Sequence, residues 1–294
     1  MRPYIIQHYN RHYTIRTTIL SMTDSYAVIG NPVEHSKSPQ IHAAFAQQTS
    51  QAIDYKRIFC EPGAFVQTVR AFQAQGGKGV NITLPFKHEA FALATQRSAR
   101  AEQAGAVNVL SFHAHGIIGD NTDGAGLTRD ITVNLAYALR GKAILLLGAG
   151  GASFGVVGPL LAELPRALVI ANRTVSKAEA LVQRFAPFGG ACEVSASSYA
   201  ALAGKNFDVV INATSAGLSG DMPTLPGNLF APQALAYDMV YGKITPFMQF
   251  AQSRGARVAD GLGMLVEQAA ESFLIWRGVR PESAPVIKLL RVKA

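Results

Sequence analysis

The sequence predicts an α/β protein of two domains with a cleft between them, on three observations. Apolar runs of strand length alternate with longer segments of helical period along most of the 294 residues. A continuous apolar run, Ala143 to Leu147, passes directly into a glycine-rich turn and then an apolar helix. Three polar clusters fall at strand exits or turns in the first half, where open α/β sheets build their sites. The length also exceeds what one ordinary hydrophobic core serves.

Taken in order, the first half predicts strands at Tyr26 to Ile29, Tyr55 to Phe59, Gly79 to Leu84 and Val107 to Phe112, with helices at Pro39 to Gln48, Ala64 to Gln75 and Lys87 to Thr95. The second half opens at Gly141-Lys142 and predicts strands at Ala143 to Leu147, Ala167 to Ala171, Asp208 to Asn212, Leu235 to Asp238 and Arg257 to Ala259. Both sheets are expected to be parallel. After Gly261 the pattern turns helical through Met264, Leu265, Ala269, Phe273, Leu274 and Trp276. This tail is expected to rejoin the first domain. The division is then 24–123 with 263–294 for one domain and 124–262 for the other.

Residues 1–23 stand apart as an extension expected to be disordered and dispensable or mis-started, because Met22 directly precedes the first predicted strand; 1–21 hold Arg2, Arg11 and Arg16 and no acidic residue, a bias that an organellar targeting peptide would share. His8 and His12 share helical spacing but lack a third ligand, so no metal is expected. Cys60 and Cys192 lie far apart without CxxC spacing, which fits a reducing compartment, the cytoplasm. No apolar run approaches the ~18 residues of a membrane helix. The net charge of +8 is scattered, which points to small anions and away from nucleic acid.

The turn Gly148-Ala149-Gly150-Gly151-Ala152-Ser153 predicts a Rossmann-type, doubly wound dinucleotide-binding domain. Glycines let the backbone approach a pyrophosphate, whose charge is met by free N–H groups at the helix N-terminus. Ser153 stands where the fingerprint has its third glycine. At the end of the next strand, where NAD enzymes place a carboxylate against the ribose, the chain has Asn172-Arg173-Thr174 and then Lys177. A guanidinium there pairs with a 2′-phosphate, so the expected cofactor is NADP. The alternative leaves Arg173 solvated and Thr174 a helix N-cap.

The first polar cluster runs from Gly30 to Pro39, with Ser36 and Ser38 ahead of a helix, a position suited to a carboxylate or to plain capping by Ser38. In the second, Asn81-Ile82-Thr83-Leu84-Pro85-Phe86-Lys87, strand alternation points Asn81 and Thr83 to one face, and Lys87 follows at the exit. The third is Gly119-Asp120-Asn121-Thr122-Asp123-Gly124, preceded by Asn108. It fails as a calcium loop, because Gly119 would take the first ligand position. Capping by Asp123 is its plain alternative.

With Asn212-Ala213-Thr214-Ser215, Asp238-Met239-Val240-Tyr241 and the run from Gly261 to Ala270, these motifs resemble the shikimate dehydrogenase family in order and spacing, from Tyr26 to the C-terminus. The resemblance implies reversible NADPH-dependent reduction of 3-dehydroshikimate to shikimate. It implies Lys87 and Asp123 as the catalytic pair, and Ser36, Ser38, Asn81, Thr83, Asn108, Tyr241 and Gln268 as substrate ligands, with the serines and Tyr241 near the carboxylate. Gly148, Ala149, Gly150, Gly151, Ala152, Asn172, Arg173, Thr174, Lys177, Met239 and Gly261 match its cofactor positions. A soluble monomer or homodimer is expected. Two alternatives stay open: a quinate/shikimate dehydrogenase of relaxed cofactor use, and a non-catalytic NADPH-binding regulator on the same fold.

Overall fold

A computed structural model of the chain describes residues 23–214 and 216–292. The expectations for the N-terminal extension, including the spacing of His8 and His12, fall on residues outside these. The described residues form two six-stranded sheets with helices against them.

The first sheet is built from β1 (Asp24–Gly30), α1 (Ser38–Thr49), β2 (Ile53–Phe59), α2 (Phe65–Ala74), β3 (Gly77–Ile82), α3 (Lys87–Leu93), β4 (Gln96–Arg97), α4 (Ala99–Ala104), β5 (Val109–His113) and β6 (Gly116–Asp120). Its strand order is β2-β1-β3-β5-β6-β4. The pairs of β1 with β2 and β3 are parallel, but β3 with β5 and β5 with β6 are antiparallel. This corrects the expectation of a parallel sheet. Only Ala114 and His115 join β5 to β6, and so short a connection makes a hairpin. Gly119 and Asp120 of this second strand read in sequence as the start of a polar cluster, and Gly116 to Ile118 is too short an apolar stretch to stand out as a strand.

Next, α5 (Asp123–Arg129) continues into a π-helical turn, Asp130–Asn134, and leads to β7 (Ala143–Leu147), α6 (Gly151–Ala162), β8 (Ala167–Ala171), α7 (Val175–Phe185), β9 (Glu193–Ser197), β10 (Phe207–Asn212), α8 (Ala216–Ser219), β11 (Phe230–Asp238), α9 (Pro246–Gln252) and β12 (Arg257–Ala259). This sheet is wholly parallel, in the order β12-β11-β10-β7-β8-β9. Every residue of β7 is buried, which is why it reads as an unbroken apolar run. The chain winds outward from β7 to β9 and then returns to build β10, β11 and β12 on the other side. The carboxyl ends of β7 and β10 therefore flank the switch point where such sheets bind ligands.

Two last helices, α10 (Leu262–Arg277) and α11 (Ala284–Val292), return to the first half. They share a core with α1, in which Ile41 and Phe45 meet Val266, Phe273, Val286 and Leu290. Between the halves lies α5, and its glycines explain how closely it is held. A Cβ on Gly124 would lie 2.3 Å from Pro159 Cγ and 2.4 Å from the Gly155 carbonyl oxygen, both in α6. One on Gly126 would lie 2.8 Å from the Met264 carbonyl oxygen in α10. Two residues apart is about 200° around a helix, so the glycines seat α5 against different neighbours.

Candidate active site

Lys87 opens α3 and Asp123 opens α5, each at the carboxyl side of the first sheet. Lys87 Nζ lies 2.6 Å from Asp123 Oδ2, with side chains 21% and 11% exposed. A first-turn carboxylate is favoured by the helix dipole. Asp123 is not a cap, however: Thr122 holds that position, without a side-chain capping bond. Instead the second oxygen, Oδ1, accepts from Asn108 Nδ2 at 2.9 Å. The same Asn108 amide accepts the Thr122 backbone N–H at 2.8 Å, and Asn121 Oδ1 accepts that of Asp123 at 3.1 Å. Both ends of the Asn108 amide thus fix the turn that aims the carboxylate. Behind it, a Cβ on Gly155 would come within 3.1 Å of Asn121 Oδ1 and 3.3 Å of Asp123 Cβ, so α6 backs directly onto this turn.

Of the further residues expected in the substrate site, Gln268 and Asn81 join this cluster. Gln268 on α10 directs Oε1 toward Asn108 Nδ2 at 3.4 Å, and its Nε2 donates to the Leu265 carbonyl at 2.8 Å. Asn81 on β3 donates through Nδ2 to Ser272 Oγ at 2.9 Å and to the Asn108 carbonyl at 3.3 Å. Thr83 lies just beyond β3, which ends at Ile82, earlier than the sequence predicts. Its methyl would lie 2.3 Å from a Cβ on Gly30, so a glycine there makes room for it. Ser36 and Ser38 are neighbours, with Ser36 Oγ donating to Ser38 Oγ at 3.1 Å. The capping alternative for Ser38 falls away, because Lys37 holds that position and Ser38 is the first residue of α1. Tyr241, from the loop after β11, lines a cavity of about 290 Å³ with Lys37 of the serine loop. Burial raises its phenol, which stays a neutral hydrogen-bond donor.

The glycine turn fits a dinucleotide by its backbone. Gly148 adopts φ +104, a left-handed conformation that side chains resist, and a Cβ there would press within 3.3 Å of the Ala213 carbonyl. Around Gly150 and Gly151 nothing lies within 4 Å of an added Cβ, which leaves room over the N-terminus of the twelve-residue α6. Ser153, in the third-glycine position, is fully buried and donates through Oγ to the Gly148 carbonyl at 2.8 Å. The departure from the fingerprint thus ties the turn to the helix that follows it. Asn172 closes its own turn onto the Thr174 carbonyl at 2.8 Å, while Arg173, Thr174 and Lys177 are exposed at the end of β8. Thr174 does occupy the N-cap of α7, without a side-chain capping bond. Met239 donates its amide to the Asn212 carbonyl at 3.0 Å, and a Cβ on Gly261 would fall 2.2 Å from the Met239 carbonyl oxygen. These positions follow the carboxyl ends of β7, β8, β11 and β12.

Sequence reasoning assigned no role to Tyr55, Ser272 or Asp238. Ser272 lies one helical turn after Gln268, so its place on the same face of α10 was open to inference. Asp238 accepts from Asn212 Nδ2 at 3.2 Å, Thr245 Oγ1 at 2.5 Å and the Val240 amide at 3.0 Å. It thereby shapes the loop that carries Met239 and Tyr241. Residues 28–110 match the profile of the shikimate dehydrogenase substrate binding domain, 131–219 that of shikimate / quinate 5-dehydrogenase and 261–291 that of the shikimate 5'-dehydrogenase C-terminal domain. The chain is 59% identical over 272 residues to shikimate dehydrogenase (NADP(+)) of Nitrosospira multiformis, covering 92% of this chain and 98% of that one. With the protein of the same name from Alkalilimnicola ehrlichii it shares 60% identity, covering 92% and 99%. Among solved structures, shikimate 5-dehydrogenase of Thermus thermophilus in complex with NADP(H) and shikimate superposes with a TM-score of 0.82 at 30% identity, covering 92% of this chain and all of that one.

Proposed function

The chain belongs to the shikimate dehydrogenase family, and we propose that its Lys87–Asp123 pair carries the family's reaction, the reversible NADPH-dependent reduction of 3-dehydroshikimate to shikimate. The fit of the second half to NADP rests on the open space above Gly150 and Gly151 and on Arg173 in place of a carboxylate. Gly148 to Ala152 would receive the pyrophosphate, Asn172 to Lys177 the 2′-phosphate, and Met239 and Gly261 the nicotinamide end. Bound there, NADPH supplies the hydride.

Hydride addition to a ketone builds negative charge on its oxygen, which demands a proton donor or fixed cation in reach. Lys87 supplies it: its ammonium protonates the nascent alkoxide at C3, and in the reverse direction its amine takes the hydroxyl proton. Asp123 holds that nitrogen in line, and Asn108 holds Asp123. Ser36, Ser38 and Tyr241 receive the substrate carboxylate, while Asn81, Thr83, Asn108 and Gln268 face the ring hydroxyls. Substrate and catalytic groups come from 24–123 and 263–294, the cofactor groups from 124–262, in an enzyme that works in the cytoplasm as a monomer or homodimer. No described helix is long and apolar enough to cross a membrane.

The observation that carries this reading is the partly buried 2.6 Å contact of Lys87 with Asp123, braced by Asn108 and backed by the cofactor-side helix. The test is nicotinamide absorbance at ~340 nm with shikimate or quinate paired with NADP or NAD. Shikimate with NADP is expected to give by far the highest kcat/KM; equal rates with NAD or quinate would favour the relaxed enzyme.

A further inference from the structure

Tyr55 stands at the centre of a hydrogen-bond chain whose proton directions are fixed from one end. Ser272 Oγ donates to the Gln268 carbonyl at 2.9 Å, so its hydrogen is committed and it acts as acceptor toward Asn81. The Asn108 carbonyl can only accept. With these two acceptors on one side, the Asn81 amide must present its nitrogen to them and its Oδ1 to Tyr55. The phenol, 2.7 Å away, must therefore donate its one hydrogen to Asn81. What remains on the Tyr55 oxygen is acceptor capacity, and the group facing it is the Ser38 hydroxyl. Ser36 in turn donates to Ser38. With the Ser38 hydrogen given to that free capacity, every proton from Ser36 to Asn81 would point the same way.

We infer that Tyr55 is a specificity-determining positioning residue, which fixes the Ser36–Ser38 pair as donors and so selects an anionic, acceptor-only carboxylate over a neutral group at that end of the substrate. Its ring is well placed for this. It stacks on His42 with centroids 4.2 Å apart and planes 6° from parallel, and His42 is itself fully buried against Phe45, Phe273 and Trp276. Burial holds the phenol well above its ordinary range, so the hydrogen given to Asn81 stays in place at working pH. When a carboxylate arrives, Ser38 turns its hydrogen from Tyr55 to the ligand without any other group reversing. A neutral ester carbonyl accepts the same hydrogens more weakly, because bonds to a carboxylate are charge-assisted.

The inference rests on the reading of Ser36 and Ser38 as carboxylate ligands, and the experiment separates the two. Wild-type protein is first assayed with NADP and either shikimate or shikimate methyl ester, which keeps the ring but lacks the charge. Failure to prefer the acid overturns the carboxylate reading itself. Given that preference, Tyr55→Phe keeps the stacked ring and removes only the hydroxyl. It is expected to raise KM for shikimate about tenfold, the scale of one weakened hydrogen bond to a charge, with kcat and KM for NADP nearly unchanged. The acid-to-ester ratio of kcat/KM should narrow by a similar factor. The double variant Ser38→Ala/Tyr55→Phe should be no worse than Ser38→Ala alone, since both changes interrupt one chain. An unchanged acid-to-ester ratio, or additive losses in the double variant, would overturn the role given to Tyr55.

Discussion

The glycine turn after β7 is made of backbone and open space, whereas the cluster around Lys87 and Asp123 is made of side chains that occupy one another's hydrogen bonds. The turn needs one left-handed residue, Gly148, two positions bare of neighbours, Gly150 and Gly151, and a helix behind them. The cluster needs Lys87, Asn108, Asp123 and Gln268, drawn from α3, the approach to β5, α5 and α10. A site of the first kind tolerates exchange of most side chains beside it. One of the second kind transmits the loss of a single atom to its neighbours.

That contrast sets the sizes of the effects expected from substitution. The largest is at the cluster: Asp123→Asn keeps the shape, removes the charge that holds Lys87, and is expected to lower kcat by about 10²–10³-fold, the scale of a misplaced acid–base group. NADPH affinity, followed by fluorescence titration, should stay near the wild-type value. Next comes the exposed end of the cofactor side. Arg173→Ser should raise KM for NADP about 10- to 100-fold through loss of a bidentate phosphate pair, leave KM for NAD unchanged and preserve kcat. Equal changes for the two cofactors would remove the contrast.

The smallest effect at neutral pH is expected beneath the substrate side, at His42. Burial pushes its pKa from 6.5 down to about 3, against a weaker opposing pull from Asn81. The folded protein thus keeps a neutral imidazole where the unfolded chain binds a proton. Its contribution to stability is complete above pH 6.5 and is lost as pH falls from there toward 3. By pH 4 the loss should reach about 3 kcal/mol. Urea unfolding at pH 7 and pH 4 should show a smaller drop for His42→Phe than for wild type. An equal drop in both proteins would deny His42 this role.

How much of each region was legible in the sequence follows from the same difference. The cofactor turn is one contiguous strand, turn and helix, and only the use of Ser153 as a tie to Gly148 needed coordinates. The substrate side was legible residue by residue only through family resemblance, since nothing in their sequence spacing brings Asn81 to Ser272 or Asn108 to Gln268. Plain capping was an even match for Ser38 and Asp123 by sequence. In the fold both fall one residue inside their helices, with their side chains turned to other partners. The first sheet was misread where the β5–β6 hairpin hides its second strand in a Gly- and Asp-containing run. Tyr55 was invisible as more than a strand aromatic, because its importance lies in which way its hydrogen points.

The most direct test of the account is the turnover of Lys87→Ala in the NADP-dependent oxidation of shikimate, measured beside its affinity for NADPH. The account predicts turnover reduced by at least about 10³-fold with cofactor affinity retained, because the proton donor is lost while the glycine turn is untouched. Near-normal turnover in that variant would contradict it.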